Sequence, residues 1–270
     1  KSRLSPLSQS LQKENGLDFT RVFIPIRTSE PNKPASSFGI FVATSEAISL
    51  TGAEPVFVDI EPGHECMDTS QIENAIDEHT RAIIPVHLHG YPCEMDPLMD
   101  IAARHQLYVI EDCAQAIGAK YKGRKIGTMG HFACFSFFPT KNLGCYGDGG
   151  LIATHHDLWA DKLLCLREHG SRKKNFQDML GYNSRLDTLQ AAVLLVKLPY
   201  LDQWNARRRE LAKHYEELLI SVPNVQRPPL EVSKETESVF HHYQLQIPNR
   251  DAVQAQMKEA GIECLPYFPC

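Results

Sequence analysis

The sequence has no apolar stretch long enough to span a bilayer. Its longest wholly apolar run, Ala191 to Val196, is a fraction of the roughly twenty residues a membrane helix needs. The opening Lys1-Ser2-Arg3-Leu4-Ser5 lacks the apolar core of a secretory signal. No Cys-x-x-Cys pair occurs among the eight cysteines, so disulfides or a zinc site have only weak support, and a reduced, cytoplasmic protein is the default expectation. An excess of positive charge is also missing. The net charge is -5, which offers no attraction to nucleic acid or to an anionic membrane. The one basic run, Arg207-Arg208-Arg209, sits in a helical pattern between Ala206 and Glu210 and reads as solvated helix surface. His87-Leu88-His89 has the look of a ligand pair, but two ordinary strand or loop histidines explain it better, and no metal is expected.

What is present is ordinary for a globular protein: 270 residues, 43% hydrophobic and 23% charged, enough for one large domain with a core and part of a second. Short apolar runs alternate with helical patterns. Thr44 to Leu50 reads as a helix stopped by Gly52, and Pro55 to Ile60 as a strand. Thr69 to Glu78 is expected to be helical and Arg81 to Val86 a buried strand. Asp96-Pro97 has the form of a helix start. Leu107 to Ile110 is a continuous apolar strand with Glu111-Asp112 at its carboxyl end. Phe132 to Phe137 and Leu151 to Thr154 read as two more strands, separated by Gly147-Asp148-Gly149-Gly150. Alternating strands and helices imply an α/β fold, a mainly parallel sheet covered on both faces, with ligands beyond the carboxyl ends of its strands.

After residue 185 the pattern is helical. Leu186, Leu189, Val193, Val196 and Tyr200 share one stripe, ended or kinked by Pro199; Trp204, Leu211, Tyr215 and Leu218 form a second. A loop, a strand (Tyr243 to Ile247) and a helix (Asp251 to Ala260) then suggest the start of a smaller α+β domain. The expected organisation is an irregular segment over 1–40, a large domain over 41–190, and connecting helices with a partial C-terminal domain over 191–270.

Asp112 lies where such a fold puts its chemistry, with Gln115 one turn on. Ser136 ends a later strand, and Lys141 follows five residues after it. Taken singly, a lysine beside a turn is usually solvated and an aspartate after a strand is usually a helix cap. The surrounding wording is more specific. Glu111-Asp112-Cys113-Ala114-Gln115-Ala116, Phe135-Ser136-Phe137-Phe138-Pro139-Thr140-Lys141-Asn142-Leu143-Gly144 and Gly147-Asp148-Gly149-Gly150 resemble the DegT/DnrJ/EryC1/StrS family of sugar aminotransferases. So do Phe41-Val42-Ala43-Thr44, Gly52 to Asp59 and Gly181-Tyr182-Asn183-Ser184-Arg185-Leu186-Asp187, giving a resemblance from about residue 41 to 268.

The resemblance implies a fold-type I enzyme using pyridoxal 5'-phosphate (PLP). Lys141 would form the Schiff base and shuttle protons. Asp112 would pair with the pyridinium nitrogen, Gln115 would lie near the ring hydroxyl, Phe41 would stack on the ring, and Ser136 would bind the phosphate. Asn183 would reach the phosphate of the partner's cofactor in a homodimer. The implied substrates are a nucleotide-linked keto sugar, aminated at its 3-position, and an amino-acid donor, commonly glutamate. Two alternatives stand beside this. A sugar dehydratase of the same family carries histidine where this chain has Lys141, which argues against it. A catalytically silent or truncated homologue would keep the fold. Residues 1–40 do not resemble the phosphate-binding Gly-Thr or Gly-Ser segment of the family, and family members continue beyond Tyr267-Phe268-Pro269, so weaker PLP binding is expected.

Overall fold

The structure is a computed structural model that describes residues 21–25 (backbone only), 42–61, 63–173, 175–231 and 235–267. Its centre is a six-stranded sheet. The strands are β1 (Arg21–Pro25), β2 (Glu54–Val58), β3 (Thr80–Ile83), β4 (Tyr108–Asp112), β7 (Phe132–Ser136) and β8 (Gly150–Ala153), in the order β2-β1-β3-β4-β7-β8. All neighbours are parallel except β8, which runs antiparallel to β7 at one edge. Two two-residue strands lie between β4 and β7, β5 (Lys120–Tyr121) and β6 (Arg124–Lys125).

Alternation along the strands divides the core into two layers. Ile83 and Val109 point to one face, where they meet Leu98, Ile101 and Met95 of a helix and Ile72 of a short one. Ala82 and Ile84 point to the other face, against Ile48 and Ala53. The helices are α1 (Val42–Leu50), α2 (Ile72–Ala75) and α3 (Met95–Arg104). The sheet is therefore covered on both faces, as its continuous apolar strands require.

Three further helices follow: α4 (Asp157–Arg167), α5 (Thr188–Lys197) and α6 (Leu201–Leu219), with α5 and α6 joined by a 3-10 turn at Leu198–Tyr200 that contains Pro199. The final described elements are β11 (Thr236–Glu237), which pairs with β5, and α7 (Arg250–Glu259); a small ribbon, β9 (Ser171–Lys173) with β10 (Phe176–Gln177), precedes α5. Among the described residues no helix is long and apolar enough to cross a membrane.

Several details depart from the sequence expectation. Within the segment expected to be irregular, Arg21–Pro25 forms β1 in the middle of the sheet; its Val22-Phe23-Ile24 is a buried-strand signal too short to stand out from polar flanks. The helix expected over Thr69 to Glu78 is only a 3-10 turn and α2, since Ile76 is already extended. Asp77 and Thr80 bond each other locally, the Asp77 N–H to Thr80 Oγ1 at 3.0 Å and the Thr80 hydroxyl to Asp77 Oδ1 at 2.9 Å, and this turn competes with helix. The strand expected over Tyr243 to Ile247 is reduced to one bridge, Gln226 with Gln246. Pro228, Pro229 and Pro248 flank it and cannot donate to a ladder.

The helical stripes are turned. Leu189, Val196 and Tyr200 are exposed, while Leu194 and Leu201 are buried against Phe137, Leu143 and Cys145. On α6 the buried residues are Leu201, Asn205 and Ala212, and the expected stripe of Trp204, Leu211, Tyr215 and Leu218 is exposed. Arg208 is not solvated surface: it is half-buried, and its Nη1 donates to the carbonyls of Phe240 at 3.1 Å and His241 at 3.3 Å.

Candidate active site

Parallel strands bring their carboxyl ends to one edge. Asp112 ends β4 and pairs in register with Cys134 of β7, so Ser136 projects two residues farther along the adjacent strand. Asp112 is held from two sides. Its Oδ2 accepts the Thr44 hydroxyl at 2.8 Å and its Oδ1 the Ala114 N–H at 3.1 Å. Thr44 lies in the first turn of α1, so the amino-terminal end of that helix, which favours an anion, stands beside Asp112.

Glu111 anchors this edge from inside the protein. Its Oε1 accepts N–H groups of Met129 (2.8 Å) and Gly130 (2.6 Å), and its Oε2 accepts that of Gly127 (2.6 Å) and faces His87 Nε2 at 3.1 Å. His87 Nδ1 accepts the Cys93 N–H at 3.0 Å, so the proton sits on Nε2 and points at Glu111. His87, Glu111 and Cys113 are grouped closely enough to share a cation. Both imidazole nitrogens and both carboxylate oxygens are nonetheless engaged in bonds that account for them. Burial pushes the Glu111 carboxyl upward, but the bond from His87 and the N–H groups of Gly130 and Gly127 outweigh it and hold it below the usual range.

Lys141 follows β7 in a tight loop. Its N–H bonds the Phe138 carbonyl, and the N–H of Cys145 bonds that of Phe137, which closes the loop on the strand end. Gly144 fits there because any Cβ would lie 2.4 Å from the Pro139 carbonyl oxygen. Ser136 Oγ accepts the Phe138 N–H at 3.2 Å. The Lys141 side chain is partly buried, and burial lowers its pKa; the charge of Asp112 acts in the opposite direction. A lysine so placed gives up its proton more readily than a solvated one, which is what a nucleophilic amine needs.

A polar cluster around Gln115, whose other members the sequence reasoning did not assign to the site, faces these groups. Gln115 Oε1 accepts the His89 N–H at 2.7 Å, and its Nε2 donates to the Tyr267 hydroxyl at 2.8 Å. His241 Nδ1 lies 3.0 Å from Oδ1 of Asn142, the neighbour of Lys141. His89 Nδ1 is 3.2 Å from His242 Nδ1, and its Nε2 is 3.2 Å from Glu65 Oε2. Gly90, at φ +97, permits this approach, since a Cβ there would sit 2.9 Å from the backbone nitrogens of both Phe240 and His241. No local pattern could have revealed contacts spanning over 150 positions.

Of the residues singled out from sequence, Asp112, Gln115, Ser136 and Lys141 are gathered at the strand ends. Phe41 lies outside the described residues. Asn183 is exposed on a segment tied to the end of α4, where Glu168 also pairs with Arg185 at 3.0 Å, apart from the other four. The donor set fits PLP: a carboxylate for the ring nitrogen, a lysine with weakened hold on its proton, and a strand-end hydroxyl and helix start for the phosphate.

The model of the DegT/DnrJ/EryC1/StrS aminotransferase family matches residues 36–270. The chain is 50% identical over 230 residues to the pleiotropic regulatory protein of Geobacillus stearothermophilus, covering 85% of this chain and 62% of that one. It is 43% identical to the dTDP-3-amino-3,4,6-trideoxy-alpha-D-glucose transaminase of Streptomyces venezuelae, covering 85% of this chain and 60% of the relative. The crystal structure of S. venezuelae DesV in complex with a ketimine intermediate superposes with a TM-score of 0.84 at 40% identity, covering 95% of this chain and 66% of that one. The chain thus spans 60 to 62% of the length of the two curated relatives.

Proposed function

The chain belongs to the DegT/DnrJ/EryC1/StrS aminotransferase family, whose members depend on PLP, and from that premise we propose that it transfers an amino group from glutamate to the 3-position of a nucleotide-linked keto sugar. The observation that carries the proposal is the placement of Lys141, with its lowered pKa, within the field of Asp112 at the carboxyl edge of the sheet. When bound, PLP supplies an electron-withdrawing ring and a carbon that carries the amino group between substrates.

The protein's own residues do the rest. Lys141 Nζ would hold the cofactor and, once released, take up and return a proton at the reacting carbon. Asp112 would face the ring nitrogen and keep it protonated; the Thr44 hydroxyl and the Ala114 N–H orient its carboxylate. Gln115, fixed by His89 and Tyr267, would lie near the ring hydroxyl, and Ser136 would bind the phosphate.

A homodimer completes the reading. Leu189 (73% exposed), Leu195 (71%) and Val196 (71%) give α5 an apolar face of the kind a second subunit covers, and Asn183 is exposed, so it could reach a partner's cofactor. A cytoplasmic setting suits free thiols such as Cys66 and Cys93.

The test is to incubate the PLP-loaded protein with glutamate and dTDP- or UDP-linked 3-keto hexoses and follow the sugar by mass spectrometry. Replacement of the carbonyl oxygen by an amine is expected. Cofactor-loaded protein that consumes glutamate but aminates none of these sugars would overturn the substrate assignment.

A further inference from the structure

Three segments far apart in sequence place Glu65, His89 and His242 in a line. Glu65 Oε2 lies 3.2 Å from His89 Nε2, and His89 Nδ1 lies 3.2 Å from His242 Nδ1. A carboxylate only accepts, so the His89 nitrogen facing Glu65 carries hydrogen. A single hydrogen on His89, placed on the nitrogen that faces Glu65, leaves Nδ1 as a lone pair, and the hydrogen between the two rings then belongs to His242 Nδ1. That leaves a lone pair on His242 Nε2. Gln246 Nε2 donates to the other Glu65 oxygen at 2.9 Å, which fixes the far end of the line. Glu65 and His89 both take left-handed backbone angles, φ 58 and φ 55, a conformation that side chains with a Cβ seldom adopt and that the surrounding contacts must hold in place.

The line ends at the candidate active site. The His242 ring is 4.1 Å from that of Tyr267, whose hydroxyl is bonded to Gln115, and 4.0 Å from that of His241, which is bonded to Asn142. Of the three histidines, His89 and His241 are buried and only His242 is partly open. Its Nδ1 edge is taken by His89, and its Nε2 has no hydrogen-bond partner among the described residues. Burial lowers the His242 pKa to about 3, so the ring stays neutral.

We propose that His242 is a substrate-positioning residue whose Nε2 accepts a hydrogen bond from a hydroxyl of the sugar, with Glu65 and His89 fixing its tautomer. An acceptor-only nitrogen has nothing to offer a phosphate or a donor's carboxylate, whereas a sugar hydroxyl supplies the missing hydrogen. The proposal rests on the reading of Lys141 as the cofactor lysine.

Nitrogen NMR of histidine-labelled protein near pH 7 tests the tautomer without cofactor. His242 should be neutral with its proton on Nδ1, and His89→Phe should shift that proton toward Nε2. A wild-type His242 that is doubly protonated, or carries its proton on Nε2, would overturn the proposal. The second measurement is single turnover of the PLP-loaded protein with dTDP-3-amino-3,6-dideoxy-α-D-galactopyranose and, separately, with glutamate. His242→Phe should raise the half-saturating amino-sugar concentration about tenfold, the worth of one hydrogen bond. The glutamate reaction and borohydride-trapped cofactor should stay within about twofold, and His242→Gln, which keeps an acceptor, should recover most of the loss. Equal losses with both substrates would mark a structural role, and no change with the sugar would equally refute the assignment. Failure of the Lys141 reading is separately visible as absent trapping in the wild-type protein.

Discussion

Glu111→Gln isolates the anchor behind the site. The carboxylate receives four bonds: N–H groups at 2.8 and 2.6 Å on one oxygen, and an N–H at 2.6 Å with His87 Nε2 at 3.1 Å on the other. An amide keeps one acceptor and sets an NH2 group against the remaining two donors. Losing two charge-assisted bonds costs about 1.5–3 kcal/mol each, partly offset because no buried charge remains to be desolvated, for a net loss of about 3 kcal/mol. Urea unfolding at about pH 7 should show this as a lower midpoint with an unchanged slope. The sign of the pH dependence follows from the shift. The Glu111 carboxyl is held below its usual range, so its contribution is present above the ordinary glutamate pKa and is lost as pH falls through the folded value. The gap between wild type and variant should therefore narrow below about pH 4. A loss under about 1 kcal/mol at neutral pH, or a gap that widens in acid, would refute the reasoning.

Asp112→Asn should leave PLP retention largely intact and slow single-turnover conversion of glutamate by about a thousandfold, since a neutral amide cannot keep the ring nitrogen protonated; near-normal conversion would contradict the role. The rate of PLP capture by Lys141 should rise with a midpoint below that of a solvated lysine, and in Asp112→Asn the midpoint should fall further, because the charge that opposes the burial effect is gone. Leu195→Asp should weaken self-association in sedimentation by about two orders of magnitude, as a two-fold interface loses the leucine twice.

The parts of the fold that were legible in sequence are those fixed by local chemistry. Tyr108 to Ile110 is apolar without interruption because both faces of β4 are covered, and Gly52 stops α1 with φ +83. The helical stripes misled because periodicity reports an apolar face and not what covers it: Leu189 and Val196 are exposed on this chain, while α6 buries Asn205, whose amide bonds Ile117 and Asn142. At the site, Asp112, Gln115, Ser136 and Lys141 could be found because each sits in a recognisable strand-end motif. Glu65, His89 and His242 could not. Each is a polar residue outside the regular helices and strands, and only the folded chain brings Glu65 and His242 each to 3.2 Å from His89.

Borohydride reduction of the PLP-treated protein, followed by peptide mass mapping, tests the central claim directly. The reduced pyridoxyl mass should fall on the peptide containing Lys141 and vanish in Lys141→Ala, with the visible absorbance of the bound cofactor lost as well. An equal yield of adduct in Lys141→Ala, or one carried by Lys173 instead, would contradict the account.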